Sequence, residues 1–137
     1  MRIFQLSESL SVTAQIAPDD VARIAAGGFR VLVNNRPDGE EADQPPARTI
    51  AELAQAAGLE YHHMPVTHAD FPGRDFAGFS ALLDDPAKPV LAFCRSGTRC
   101  ANLWVASRPA AALDEAAQTA RRIGFDLAMA ERFLAQR

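Results

Sequence analysis

The chain is poor in most of what marks a specialised class of protein. It has two cysteines, three histidines, one tryptophan and one tyrosine in 137 residues. Two cysteines six positions apart, Cys94 and Cys100, do not make a disulfide scaffold, and no Cys/His cluster has zinc-ligand spacing. No apolar run approaches the ~20 residues that cross a bilayer. Met1 to Leu6 lacks the long apolar stretch of a secretory signal, so a cytoplasmic location is the default expectation. There is no basic excess either: 14 Lys and Arg stand against 17 Asp and Glu, a net charge of −3. No global field therefore recruits nucleic acid or an anionic membrane surface, and any anion must be held by a local site. Repeats, low-complexity tracts and linkers are missing too, and the length suits one domain spanning residues 1–137 with a real core.

What is present is an alternation of short apolar strands and amphipathic helices. Leu10-Ser11-Val12-Thr13 reads as an early strand. Pro18-Asp19-Asp20 opens a helix with Val21, Ile24 and Ala25 on its buried stripe, stopped by Gly27-Gly28. Arg30 to Asn34 is a buried strand, followed by a polar loop. Pro45-Pro46 introduces a helix with Ile50, Leu53, Ala54 and Ala57 on one face and Gly58 as its stop. Tyr61 to Val66 is the next strand; Phe76, Phe79, Leu82 and Leu83 share a helical face. Pro89 to Phe93 is a strand running straight into Cys94, and a helix from near Arg99 carries Leu103, Trp104 and Ala106 and ends before Pro109. Leu113 to Arg137 reads as two helices broken near Gly124. Such alternation predicts an α/β fold, a three-layer sandwich around a mostly parallel central sheet. The loops after Asn34, Val66 and Phe93 then gather at one sheet edge, where ligands of open α/β sheets bind.

Cys94-Arg95-Ser96-Gly97-Thr98-Arg99 is the segment that carries chemistry. A thiol is a poor nucleophile until it ionises, and helix N-termini with nearby cations bring its pKa from ~8.5 to between ~3.5 and ~7.5. Cys94 stands where a strand turns into a helix, so backbone N–H groups and the helix dipole converge on it. Gly97 permits backbone conformations closed to other residues, and Arg99 brings a planar fork of donors suited to phosphate or sulfate oxygens. Taken alone, Cys94 would read as a buried core cysteine; the five polar or small residues after it are not core-filling choices. Arg95, Ser96, Gly97 and Thr98 are the expected anion-binding residues, Arg95 through its backbone N–H more than through a side chain that could equally face solvent.

The same segment resembles the active-site loop of rhodanese-type sulfurtransferases and approximates the Cys-x5-Arg loop of tyrosine and dual-specificity phosphatases. Val31 to Asp38, Tyr61 to Val66 and Val90 to Trp104, taken in order, resemble the phosphatase-like domain of the beta-lactamase-hydrolase-like family over roughly residues 2 to 110. That resemblance implies a dual-specificity-phosphatase-like fold and a cysteine nucleophile. Two departures stand out. The spacing here is Cys-x4-Arg, one residue shorter than in the phosphatases and equal to the rhodanese loop. Cys100 also follows Arg99, where phosphatases carry Ser or Thr. The dual-specificity pattern puts an acid in the loop after Val66. Asp70 is the first choice, against a turn role before Phe71-Pro72-Gly73; His68 is second and Asp75 third, the last more naturally a helix cap. Arg36, in the Asn34-Asn35-Arg36-Pro37 stretch shared with the family, either lines the same edge or faces solvent. His62, His63 and Trp104 read as structural. Cys100 is open between packing, a resolving thiol for oxidised Cys94, and a stand-in for the missing hydroxyl.

Three functions follow: hydrolysis of a phosphate ester through a phosphocysteine at Cys94, sulfur transfer through a Cys94 persulfide, or a non-enzymatic anion-binding module. No cofactor or metal is called for. The expected partner is a small anionic substrate, phosphorylated or persulfidated, and neither nucleic acid nor membrane.

Overall fold

The computed structural model describes residues 1–137. Five strands form one sheet: β1 (Ile3–Gln5), β2 (Leu10–Thr13), β3 (Val31–Asn34), β4 (Glu60–His63) and β5 (Val90–Phe93), in the order β1-β2-β5-β3-β4. β1 pairs antiparallel with β2, and every other pair is parallel. The helices are α1 (Asp20–Ala26), α2 (Ala47–Ala56), α3 (Phe76–Ala81), α4 (Thr98–Ala106), α5 (Ala110–Ile123) and α6 (Ala128–Ala135).

β3 and β5 explain the layering. All four residues of each are buried, and a strand sends successive side chains to opposite faces. Val31, Val33, Val90 and Ala92 join the larger core under α4, α5 and α6; Leu32, Leu91 and Phe93 join a smaller one under α1 and α2 with Val21, Ile24, Ile50 and Ala54. The result is helix, sheet and helix, the α/β sandwich that the alternating elements imply.

Several elements differ from the sequence pattern. β1 is a three-residue edge strand that exists only through its pairing with β2. β4 ends at His63, because Pro65 has no N–H to give a ladder; Met64 and Val66 still donate to Asn34 and Asn35 carbonyls. On α2 the buried stripe is Ala47, Ile50 and Ala54, while Leu53 and Ala57 face outward, Leu53 at 38% exposure. α2 starts with the Asp38 carboxylate accepting from the Ala47 N–H at 2.8 Å. No helix is long and apolar enough to cross a membrane.

Asn102, fully buried in α4, ties the C-terminal helix to the rest. Its amide donates to the Thr98 and Asp126 carbonyls, each at 2.8 Å, and accepts from the Ala130 N–H at 2.9 Å. The parallel strands place the loops after β3, β4 and β5 at one edge of the sheet, and α6 closes beside them.

Candidate active site

The buried β5 delivers Cys94 to that edge, and the Asn35 N–H holds the Phe93 carbonyl at 2.8 Å. The chain then turns through Gly97, whose φ of 89° lies in the left-handed region, and α4 begins at Thr98. This turn aims the Gly97 N–H at Cys94 Sγ, 3.1 Å away. The thiol is only 1% exposed and its pKa is lowered to about 6. The main cause is hydrogen bonding from the Cys100 side chain; burial opposes it, and backbone N–H groups of Cys100 and Ser96 and the Arg99 charge add to it. Cys100 is fully buried on the first turn of α4, and burial pushes its own thiol well above the ordinary value.

Arg99 is 8% exposed and firmly held. Its Nη1 donates to Glu40 Oε2 at 2.8 Å and to the Val66 carbonyl at 3.0 Å, and its Nη2 donates to Glu40 Oε1 at 2.8 Å. Both Nη1 hydrogens are thereby used. The Nε–H and one Nη2 hydrogen, the second bidentate edge of the guanidinium, make no bond to the protein.

Glu40 is held twice over. Arg36, 2% exposed, donates from Nε to Glu40 Oε1 at 2.8 Å, from Nη2 to Glu41 Oε1 at 2.7 Å, and from Nη1 to Gln15 Oε1 at 3.0 Å. Hydrogen bonds from Arg99 and Arg36 bring the Glu40 carboxyl to about 2, so it is charged at any physiological pH. Arg95 is largely exposed and reaches Glu41 at 3.1 Å. The arginines of this edge are thus three, against two carboxylates.

These side chains line a cavity of about 430 Å³ together with Thr67, His68, Ser96 and Thr98, and Met129 of α6 closes one wall. The Ser96 hydroxyl donates to the Thr98 hydroxyl at 2.9 Å. Of the residues singled out in the sequence, the cavity brings together Arg36, Arg95, Ser96, Thr98, Arg99 and His68; Cys94 and Gly97 belong to the same turn but do not line it. Asp70 is elsewhere: its Oδ1 accepts from the Thr67 N–H at 2.7 Å and the Thr67 hydroxyl at 2.9 Å, and it lines an adjoining cavity with Pro37 and Arg74. Those bonds hold its carboxyl below the usual range. Asp75 sits at the N-cap of α3 without a side-chain capping bond. The His62 ring pairs with Glu60 and the His63 ring with the Arg36 carbonyl; Trp104 packs in the core. No group of three or more His, Cys, Asp or Glu side chains could hold a metal ion.

Glu40, Glu41 and Met129 are the site residues that the sequence pattern does not reveal. Only the four-residue spacing of Arg36 and Glu40 hints at the ion pair, and Met129 comes from the far end of the chain.

Residues 2–112 match the family described as the phosphatase-like domain of beta-lactamase hydrolase-like protein. A beta-lactamase hydrolase-like protein of Agrobacterium fabrum is 33% identical over 98% of this chain. The match takes in 32% of that relative, so the chain spans about a third of its length. A candidate phosphatase of Neisseria meningitidis, solved as a crystal structure, superposes with a TM-score of 0.80 at 35% identity and covers 100% of this chain and 99% of its own. Tk-PTP, crystallised in its active form, shares the fold with a TM-score of 0.72 at 16% identity, over 98% of this chain and 93% of its own. With its parallel sheet, strand-loop-helix turn and arginine-lined edge, the chain belongs to the family of phosphatase-like domains of beta-lactamase hydrolase-like proteins.

Proposed function

We propose that the protein hydrolyses a phosphate monoester with Cys94 as the nucleophile. The observation that carries this reading is the pairing of a thiol brought to about 6 with an Arg99 whose Nε–Nη2 edge is free while its other edge is clamped. The thiolate sulfur attacks phosphorus, the ester P–O bond breaks, and the leaving oxygen takes a proton from an acid. Water then attacks the phosphocysteine, the P–S bond breaks, and the thiolate and inorganic phosphate are released, with the proton of water going back to the base formed in the first step. Arg99 and the loop N–H groups not turned to the sulfur, those of Arg95 and Thr98, would stabilise the equatorial oxygens. Glu40 and the Val66 carbonyl would act as positioning groups, fixing the guanidinium plane.

The proton donor is assigned to His68, which faces the cavity, in preference to Asp70, whose carboxylate is occupied by Thr67 and held ionised. His68→Gln and Asp70→Asn separate them: the donor's loss lowers turnover of alkyl phosphates far more than of nitrophenyl phosphate, whose leaving group needs no proton.

One observation favours a second reading, sulfur transfer. The Cys94 Sγ is buried and the turn's Gly97 N–H points at the sulfur itself. In that reaction the thiolate attacks the outer sulfur of thiosulfate, the S–S bond breaks, sulfite leaves, and a persulfide remains on Cys94 for transfer to an acceptor. Nitrophenyl phosphate hydrolysis and thiosulfate-to-cyanide transfer, run side by side with the Cys94 adduct trapped for mass analysis, decide between them. Phosphate on Cys94 with turnover supports hydrolysis. A persulfide with no phosphatase activity overturns it, and Cys94→Ser must abolish whichever activity is found.

A further inference from the structure

Beyond the anion cradle lies a second cavity of about 160 Å³, lined by His68, Phe71, Met129, Arg132, Phe133 and Gln136 with Ala69. It shares His68 and Met129 with the main cavity, so the two lie side by side with those side chains between them. Its size corresponds to roughly five water volumes of about 30 Å³, room for a carboxylate or phosphate group on a short spacer.

The charges of the two cavities differ. In the first, Arg36, Arg95 and Arg99 are each paired with Glu40 or Glu41. The second has no acidic lining residue, and its arginine has no carboxylate partner. Glu131, the neighbour of Arg132 on α6, is turned to Arg121 of α5 at 3.5 Å. Arg132, the His68 ring and the Gln136 amide therefore offer donors in a recess whose lining holds no carboxylate to satisfy them. The rear wall is braced by edge-to-face contacts of Phe133 with Phe71 and Phe76, at centroid distances of 6.1 Å and 5.7 Å, which fix the helix bearing Arg132.

We infer that this recess is a second anion subsite, and that the substrate is a small phosphate ester whose leaving group carries a second anionic group, a carboxylate or phosphate, which Arg132 binds. The inference rests on the reading of Cys94 and Arg99 as the phosphate site. The scissile phosphate lies over the Cys94 turn, the leaving oxygen passes His68, and the second anion lands beside Arg132 and Gln136. Arg132 is a specificity residue in this arrangement and takes no part in bond breaking.

The test compares 4-carboxyphenyl phosphate with 4-carbamoylphenyl phosphate, which has a similar leaving group and no second charge. The ratio of their kcat/KM values should favour the carboxylate by about fivefold, the upper range for an exposed charge pair. It should fall toward one in Arg132→Gln, survive in part in Arg132→Lys, and stay at the parent value in Arg122→Gln, which removes the same charge from α5 outside both cavities. A parent ratio near one overturns the inference, as does a ratio that Arg132→Gln leaves intact. A role of Arg132 confined to the C-terminal end of α6 would change the thermal melt and not the ratio. If the parent hydrolyses neither ester, the phosphatase reading fails separately. The subsite is then judged by calorimetric binding of the two esters to Cys94→Ser, where equal affinities, or a preference that Arg132→Gln retains, overturn it.

Discussion

Replacing Cys100 by alanine should raise the pKa of Cys94 and slow its reactions at neutral pH. The parent thiol, at about 6 instead of the ordinary 9.0, is ~90% thiolate at pH 7, where an unperturbed one would be ~1%. The difference corresponds to ~4 kcal/mol of preference for the charged form, gained although burial works against it. The Cys100 thiol is the largest contributor to that preference, ahead of the backbone N–H groups and the Arg99 charge. Cys100→Ala removes the donor and leaves the burial, so the titration moves up. Cys100→Ser supplies a hydroxyl in its place and should titrate close to the parent. The assay is the rate of iodoacetamide alkylation of the Cys94 peptide against pH. Cys100 does not confuse it, being fully buried with its thiol pushed up. The 1% exposure of Cys94 slows every rate without moving the inflection. The same shift appears in stability. The folded value lies below the unfolded one, so the stabilisation is fully present above about 9 and is lost as pH falls through about 6. The parent should therefore gain stability over Cys94→Ser as pH rises through that window. An inflection in Cys100→Ala at the parent's pH, or a parent inflection near 9, would refute the reasoning.

Glu40→Gln breaks one of the two Glu40 bonds to Arg99 and removes its charge; inorganic phosphate, titrated calorimetrically, should bind roughly tenfold more weakly if Glu40 positions Arg99, whereas tighter binding would mean that Glu40 plugs the site. Gly97→Ala puts a side chain at φ 89°, and because the nearest atoms to the new Cβ are 3.4 Å away the cost is backbone strain, ~1–2 kcal/mol in a urea melt. Asn102→Ala strands two carbonyls and one N–H at the junction of α4 and α6 and should cost ~2–4 kcal/mol by the same measurement, with α6 the first segment to exchange its amides.

The parts of this molecule that the sequence displays are those decided locally. β3 and β5 are short apolar runs buried on both faces, α1 has its stripe of Val21 and Ile24, and the turn from Cys94 to Arg99 is contiguous, so each is visible without knowing the rest. β1 is not visible, because three residues carry no period and only β2 makes them a strand. Leu53 misleads for a related reason: helical spacing puts it near Ile50 and Ala54, but β4 and α1 cover only part of that face. In the site, a carboxylate's role depends on which donors the fold brings to it. Asp70 and Glu40 both stand in polar loops; Thr67 three residues away captures the first, while Arg99, fifty-nine residues on, captures the second. Within the loops only Arg36, four residues before Glu40, and Thr67, three before Asp70, hint at those outcomes; the bond to Arg99 is invisible there.

That capture also bears on the short loop. With four residues between Cys94 and Arg99, the turn has one N–H fewer to offer than a seven-residue cradle, and the Gly97 N–H is already spent on sulfur. A phosphate presents three oxygens that need donors, a persulfide one terminal sulfur. On the proposed reading the deficit is met by side chains, those of the loop's own Arg95 and Arg99, which Glu40 and Glu41 position from outside it. Arg99 keeps a bidentate edge because Glu40 and the Val66 carbonyl take the other. Arg95, largely exposed and tethered only to a half-exposed Glu41, can exchange that carboxylate for a phosphate oxygen at little cost, since an exposed ion pair is worth ~1 kcal/mol or less. Glu41 then remains bonded to Arg36, so no carboxylate is left without a partner. On that reading the acidic loop after β3 does for Arg99 what a longer turn does with its backbone: it fixes the guanidinium plane in advance and leaves the Nε–Nη2 edge without a protein partner, available to an anion with more than one oxygen.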